Sequence, residues 1–411
     1  MTSARVVAFA VALAALGAFR KTSAQQPTGA NQCNTAPPEP LTFVDVPGNP
    51  FQALPSADGC WVFVSMPGGQ RRGASKIGVL RRSGGKLSME RVVAIDGNPT
   101  GMVLTHDGHT LIVADGPRIA FLDVEKLVKT RNNPVLGYLD ETGRLGRIYA
   151  NITSDDKTLF VADENAETIS VIDFAKVRAS GFRASPSIGK IATGVAPIAV
   201  TFSPDEQLLY ITSQRAPKSL NWPSECKREG AATSDTTPVD PQGVILIVDV
   251  ARAQSNPAHA LVGAVPAGCS AVRLVLSPSG DRAYVTARNS NALLVFDTAK
   301  LRTDPGHARI GSVTVGTAPV GIAVIDSGRK VVVTNSNRFA SSSNDRQTLT
   351  VVDAAKIGSG NSAILGSIPA GAFPREMRVT PDGATLLLTN FNSQSIEVID
   401  LARLPLTPQK P

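Results

Sequence analysis

Phe373-Pro-Arg-Glu-Met-Arg-Val-Thr-Pro-Asp-Gly-Ala-Thr-Leu-Leu-Leu-Thr-Asn390 decides the fold. It reads as an apolar strand, an Asp-Gly turn and a second apolar strand, which is a hairpin signature. The same unit recurs along the chain with fixed internal spacing. Its anchors are Pro50, Pro99, Arg147, Pro197, Ala271, Pro319 and Pro374. Eight residues after each lies a turn residue: Asp58, Asp107, Asp155, Asp205, Ser279, Ser327 and Asp382. Eight further on each second strand ends, at Met66, Asp115, Asp163, Ser213, Ala287, Asn335 and Asn390. Such a period of about 50 residues is the mark of a repeat architecture.

Outward from the hairpin, each unit adds a third strand ending in Asp: Asp123, Asp173, Asp249, Asp297, Asp353 and Asp400. A short helix-like stretch follows each, so these carboxylates read as caps for the free N–H groups of that turn rather than as acid–base catalysts. The first unit has Arg81 there and departs from the pattern. A fourth strand closes most units, as in Gly189-Lys-Ile-Ala-Thr and Gly311-Ser-Val-Thr-Val. The last unit lacks one, whereas Leu41-Thr-Phe-Val-Asp-Val-Pro-Gly48 stands spare before Pro50. The expectation is an all-β, seven-bladed β-propeller of four-stranded blades, spanning 41–411 and closed by an N-terminal strand that completes the last blade.

Anchor spacings are 49, 48, 50, 74, 48 and 55 residues. The long one marks a polar insertion, Gln214–Gln242, between the second and third strands of blade four; a smaller one, Ser336–Arg346, occupies the same place in blade six. Both belong to the face that carries the blade-to-blade crossings.

Residues 1–24 read as a Sec signal peptide, with Arg5, the apolar run Val6–Phe19 and a small-residue cleavage site at Thr22-Ser23-Ala24. The run is too short to span a bilayer, and no other segment reads as a membrane span. Residues 25–40 form a polar, proline-rich leader. The expected location is the periplasm or beyond. The formal charge of +7 falls to +4 once Arg5, Arg20 and Lys21 are removed. The remaining Lys and Arg are scattered over many loops, with only Arg71-Arg72 and Arg81-Arg82 adjacent, which argues against nucleic acid. The repeat gives a monomer as the expectation.

Four cysteines in an exported chain imply two disulfides, with three connectivities open to sequence. The blade topology selects between them. Cys226, in the blade-four insertion, and Cys269, at the next crossing, share one face; Cys33 and Cys60 share the other. The pairs are therefore Cys226–Cys269 and Cys33–Cys60. A zinc site is the rival, but no Cys-x-x-Cys and no nearby His supports it.

Through Tyr284-Val-Thr, Val333-Thr-Asn335 and Leu388-Thr-Asn390, with Ser203-Pro-Asp205 and Thr380-Pro-Asp382, the chain resembles the YVTN-repeat β-propeller family. Phe373-Pro-Arg-Glu376 also resembles the wider group of seven-bladed lactonase-type propellers. The resemblance implies either an exported binding or surface protein or a lactone-hydrolysing or cycloisomerising enzyme; fold alone does not choose.

Ligands of such rings sit over the channel mouth. Residues just after the anchors and just after the second strands are the candidates: Arg147, Tyr149, Arg273, Arg375 and Glu376 in the first set, and Glu164, Arg288, Asn335, Arg338 and Asn390 in the second. Converging arginines suit a carboxylate or phosphate. Asn335, Asn390, Asp115 and Asp163 better suit a structural role, binding their own turns. Trp222 reads either as a stacking lid or as an anchor for its own loop. His106, His109, His259 and His307 fall away from the mouth, leaving Glu376, Glu164 and Asp163 as possible carboxylate bases or divalent-cation ligands. Sequence therefore supports no assigned catalyst and no required cofactor. It leaves two functions open: recognition of an anionic small molecule, glycan or envelope partner, and lactone hydrolysis.

Overall fold

The structure, a computed structural model, describes residues 32–408 except 69–72, 141–145, 185, 223–225, 227–241 and 339–345. The expected signal peptide 1–24, the first part of the expected leader, the Arg71-Arg72 pair and most of the two insertions lie outside the described residues.

Seven four-stranded antiparallel sheets make a seven-bladed β-propeller. Blades one to six each take four consecutive strands; blade six, for example, runs Pro319–Ile325, Lys330–Asn335, Gln347–Asp353 and Ile364–Ala370. Blade seven takes Pro374–Val379, Thr385–Asn390 and Ser395–Asp400, and its outer strand is Leu41–Asp45, in register from Leu41 opposite Ile399 to Asp45 opposite Ser395. The spare N-terminal strand thus closes the ring. The spacing seen in sequence is the pairing itself: Pro99 faces Asp115, Arg147 faces Asp163, Pro197 faces Ser213, Ala271 faces Ala287, Pro319 faces Asn335 and Pro374 faces Asn390. The least obvious fourth strand of blade two is Val135–Asp140.

Local chemistry explains each turn. A Ser or Thr two residues before the hairpin Asp donates its hydroxyl to that carboxylate: Ser56 to Asp58 at 2.5 Å, Thr105 to Asp107 at 2.6 Å, Thr153 to Asp155 at 2.7 Å and Ser203 to Asp205 at 2.5 Å. Blade five shifts the partner to Asp281, which accepts from Ser277 at 2.6 Å. The six third-strand carboxylates cap as expected. Asp123 accepts from Lys126 N at 2.9 Å, Asp173 from Lys176 N at 3.0 Å and Asp249 from Arg252 N at 2.9 Å. Asp297 accepts from Ala299 N at 3.0 Å, while Asp353 and Asp400 accept from Ala355 N and Ala402 N, each at 2.9 Å. Blade one replaces this cap with a tight Gly84-Gly85 hairpin between Lys76–Ser83 and Lys86–Ala94, in line with its departure at Arg81.

Buried hydroxyls tie blade to blade. Near the end of the second strand, Thr212 donates to Val272 O at 2.7 Å, Thr286 to Val320 O at 2.9 Å and Thr389 to Phe51 O at 3.3 Å. The same oxygens accept the backbone N–H of their own blade's inner strand, from Ala199 at 3.0 Å, Arg273 at 3.1 Å and Glu376 at 3.1 Å. Apolar side chains fill the blade interfaces, such as Phe63, Ile77, Leu111 and Leu122 between blades one and two. Both disulfides are the ones that topology selected, Cys33–Cys60 and Cys226–Cys269. They fit a chain that folds outside the reducing cytoplasm. No described helix is long and apolar enough to cross a membrane.

Candidate functional site: an axial channel with a charged plug

Seven inner strands surround the axis, and most carry an irregularity directly after the anchor. Pairing jumps between Ala271 and Leu274 in blade five and between Pro374 and Met377 in blade seven. Two residues there oppose one on the partner strand, which is a β-bulge, and a bulge re-aims side chains that would otherwise alternate. In consequence the neighbours Arg375 and Glu376 both reach the axis. Space is made opposite them. A Cβ on Gly101 would lie 2.7 Å from the Tyr149 ring and 2.5 Å from Ile148 O, so blade two yields its volume to Tyr149.

Three of the sequence candidates meet as a plug. Arg273 donates Nε to Glu376 Oε2 at 2.8 Å and Nη2 to the Tyr149 hydroxyl. The Tyr149 hydroxyl in turn donates to Glu376 Oε2 at 3.1 Å, and the Arg273 guanidinium lies 3.8 Å from the Tyr149 ring centre. Arg378, from the same strand as Glu376, approaches Glu376 Oε1 at 3.2 Å. Glu376 and Arg273 are 3% and 7% exposed, so this network sits in a low-dielectric interior where an unpaired charge would be costly. Burial alone would raise the Glu376 carboxyl, but Arg273 and Arg378 outweigh it and hold the group below the usual carboxylate range. Burial likewise opposes charge on Arg273, and Glu376 more than restores it. Burial raises the Tyr149 hydroxyl well above its ordinary value, keeping it a neutral donor.

On the crossing side of the plug, Arg375 sits among aromatic rings. The Arg375 guanidinium is 3.8 Å from the Phe51 ring centre, 5.6 Å from Phe373 and 5.7 Å from Phe391. Phe51 in turn lies 5.7 Å from Tyr149, so cation, ring, ring and cation follow one another down the axis. Among the described residues no side chain accepts a hydrogen bond from Arg375, and its Nε is buried without a partner. Desolvation lowers Arg375 to about 10, Arg273 and Arg338 add to the fall, and Tyr149 and Glu164 oppose it. Burial raises the Glu164 carboxyl while Arg375, Arg273, Arg338 and Arg288 pull it back.

The other candidates lie apart. Asn335 accepts from Gly316 N at 2.9 Å and donates to Thr348 and Thr350, both at 3.0 Å. Asn390 donates to Glu397 at 2.8 Å inside blade seven. Asp163 accepts the turn N–H groups of Gly146, Asn165 and Ala166, and Asp115 pairs with Arg118 at 3.1 Å. Arg147 is buried at the crossing into blade three, with its N–H on Gly116 O at 2.7 Å. Arg288 reaches Gln214 Oε1 at 2.6 Å, and Trp222 packs partly buried against the core cluster that includes Phe51 and Tyr149. Among the described residues no three His, Cys, Asp or Glu side chains gather as a metal-binding group.

Sequence reasoning passed over Arg378 and the Phe51, Phe373 and Phe391 cage. Arg378 carried a signal: four residues past the anchor the other blades place Leu54, Val103, Asn151, Thr201, Val275 and Ala323, all uncharged.

The fold and this axial site define a seven-bladed β-propeller with an arginine-rich channel. No family model matches the chain, and no curated protein matches it by sequence. Solved structures of similar fold include the hydrazine synthase of Kuenenia stuttgartiensis, 18% identical over 87% of this chain and 97% of that one, with a TM-score of 0.59. The β-propeller domain of Cps50 (Swd1) from Myceliophteria thermophila is 10% identical over 88% and 99%, with a TM-score of 0.60. The periplasmic gluconolactonase PpgL of Pseudomonas aeruginosa is 20% identical over 78% and 85%, with a TM-score of 0.58. At these identities the likeness is one of fold.

Proposed function

We propose that this is an exported, monomeric propeller of the YVTN-repeat type that binds an anionic small molecule on the crossing side. The carrying observation is Arg375: a guanidinium held against three aromatic rings, with no side-chain acceptor among the described residues. Rings fix the cation without neutralising it, which leaves its donors for a bidentate carboxylate or phosphate. Such an anion would also relieve the repulsion that Arg375 receives from Arg273 and Arg338. Sugar acids are the first ligands to test, since their hydroxyls add hydrogen bonds to the charge.

A second reading, lactone hydrolysis, rests on Glu164. Burial raises its carboxyl, which is the direction of shift that favours a general acid or base. Glu376 is a poor base by comparison, because both its oxygens are engaged and it is held ionised.

A thermal-shift screen of the oxidised protein against sugar acids, lactones and divalent cations tests both. Stabilisation by gluconate that Arg375→Ala abolishes supports the binding reading. Turnover of glucono-δ-lactone that Glu164→Gln abolishes supports the hydrolase instead. Silence across the panel would sink both and favour a glycan or envelope-protein partner.

A further inference from the structure

The plug divides the channel, and the half beyond it is a separate cavity. It measures about 370 Å³ and takes its lining from all seven inner strands, among them Leu54, Met102, Asn151, Thr201 and Ile322. Its position along the axis follows from the chain. Leu54, Leu276 and Arg378 stand one or two residues before the hairpin turns at Ser56, Ser277 and Thr380, so this chamber faces the hairpin side, opposite the Arg375 cage. Tyr149, Arg273 and Glu376 belong to its lining and separate it from the crossing side.

The walls are mostly aliphatic, and the polar side chains among them are largely spent. Asn151 donates to Val200 O at 3.0 Å and accepts from Ile152 N at 3.0 Å, and Thr201 donates to Leu274 O at 3.0 Å. Arg378 is different. Its only described partner is Glu376 Oε1, through Nη2, and the side chain is 37% exposed. Two arginines, Arg273 and Arg378, face a single carboxylate, Glu376, so the lining carries one net positive charge. A mostly aliphatic pocket of this size with one unspent guanidinium at its plug matches one ligand chemistry, an anionic head on an apolar body.

We propose that the hairpin-side chamber is a second binding site, for a small carboxylate with an apolar tail. The carboxylate meets the free N–H groups of Arg378, and the tail runs along Leu54, Val103, Val275 and Leu276 toward the opening. Arg378 then bridges two carboxylates, Glu376 and the ligand, as a guanidinium with five donors can. The site is chemically unlike the crossing-side site, where aromatic rings already occupy the faces of the cation.

Isothermal titration of the full oxidised chain with octanoate and benzoate, up to about 5 mM, tests this. Saturable one-to-one binding is expected. Arg378→Gln should weaken it by roughly tenfold or more. Val275→Phe, which fills the chamber without touching charge, should weaken it as well. Arg375→Ala should leave it unchanged, and Arg378→Gln should leave any gluconate binding unchanged, so this site and the crossing-side site stand or fall separately. The proposal is overturned if neither acid binds saturably, if Val275→Phe binds like the wild type, or if Arg375→Ala removes the binding.

Discussion

Glu397 should make the protein lose stability as the solution turns from acidic to neutral. It lies in the third strand of blade seven, opposite Phe43 of the closing strand, and is fully buried. Oε2 accepts from Asn390 at 2.8 Å and Gly371 N at 3.3 Å, but Oε1 has no partner among the described residues. Burial raises the group from 4.5 to about 7, with the Asn390 and Gly371 hydrogen bonds opposing. The folded protein therefore holds this proton more tightly than the unfolded chain. Its contribution is full below pH 4.5, falls as pH rises through the interval to about 7, and is constant above that. The gap between those values corresponds to about 3 kcal/mol. Glu397→Gln has no proton to lose, so it should flatten that part of the profile and gain on the wild type above neutrality. Asp115, which burial raises from 3.8 to about 6, supplies a residual slope of the same sign below pH 6 in both proteins. Urea unfolding followed by fluorescence between pH 4.5 and 8 measures the difference. Parallel stability curves for wild type and Glu397→Gln would refute the argument, whatever their absolute offset.

Two further outcomes follow from the plug and the disulfides. Glu376→Gln leaves Arg273 and Arg378 facing each other across a buried site without their counter-ion, and should cost about 3–5 kcal/mol in denaturant unfolding. Little change would mean that the ion pairs are replaceable by water. Replacing both Cys226 and Cys269 with Ser opens a loop with a separation of 43 residues and should lower stability by about 4 kcal/mol, whereas Cys33→Ser with Cys60→Ser, at 27 residues, should cost slightly less.

The ring, its closure and both disulfides were legible in the sequence because they follow from counting. A fixed spacing from anchor to strand end is a register, and a missing fourth strand at one end matched a spare strand at the other. The caps were legible for a related reason, since an Asp before each short helix has one local job. Arg273, Tyr149 and Glu376 were legible as axial residues but not as each other's partners, because blades three, five and seven meet only across the axis. The bulges hid the most. An alternating strand would send Arg375 and Glu376 to opposite faces, and only the extra residue opposite Thr389 brings both to the channel. The buried threonines were quoted within the YVTN-like strand ends, yet their hydroxyls' reach into the next blade needs the ring to be assembled.

Closure by the strand Leu41–Asp45 also sets an order in time. That strand is made before its partner Ser395–Asp400, with every other blade between them in the chain. Until the two meet, blade seven has three strands and an open edge carrying Ile396 and Val398, the kind of edge that pairs with a wrong neighbour. Folding of the ring is then a race between the slow search of two distant segments for each other and capture of that edge by a second chain. A covalent link between the two segments, with the chain reopened at a blade-to-blade crossing, would turn that slow search into a local one.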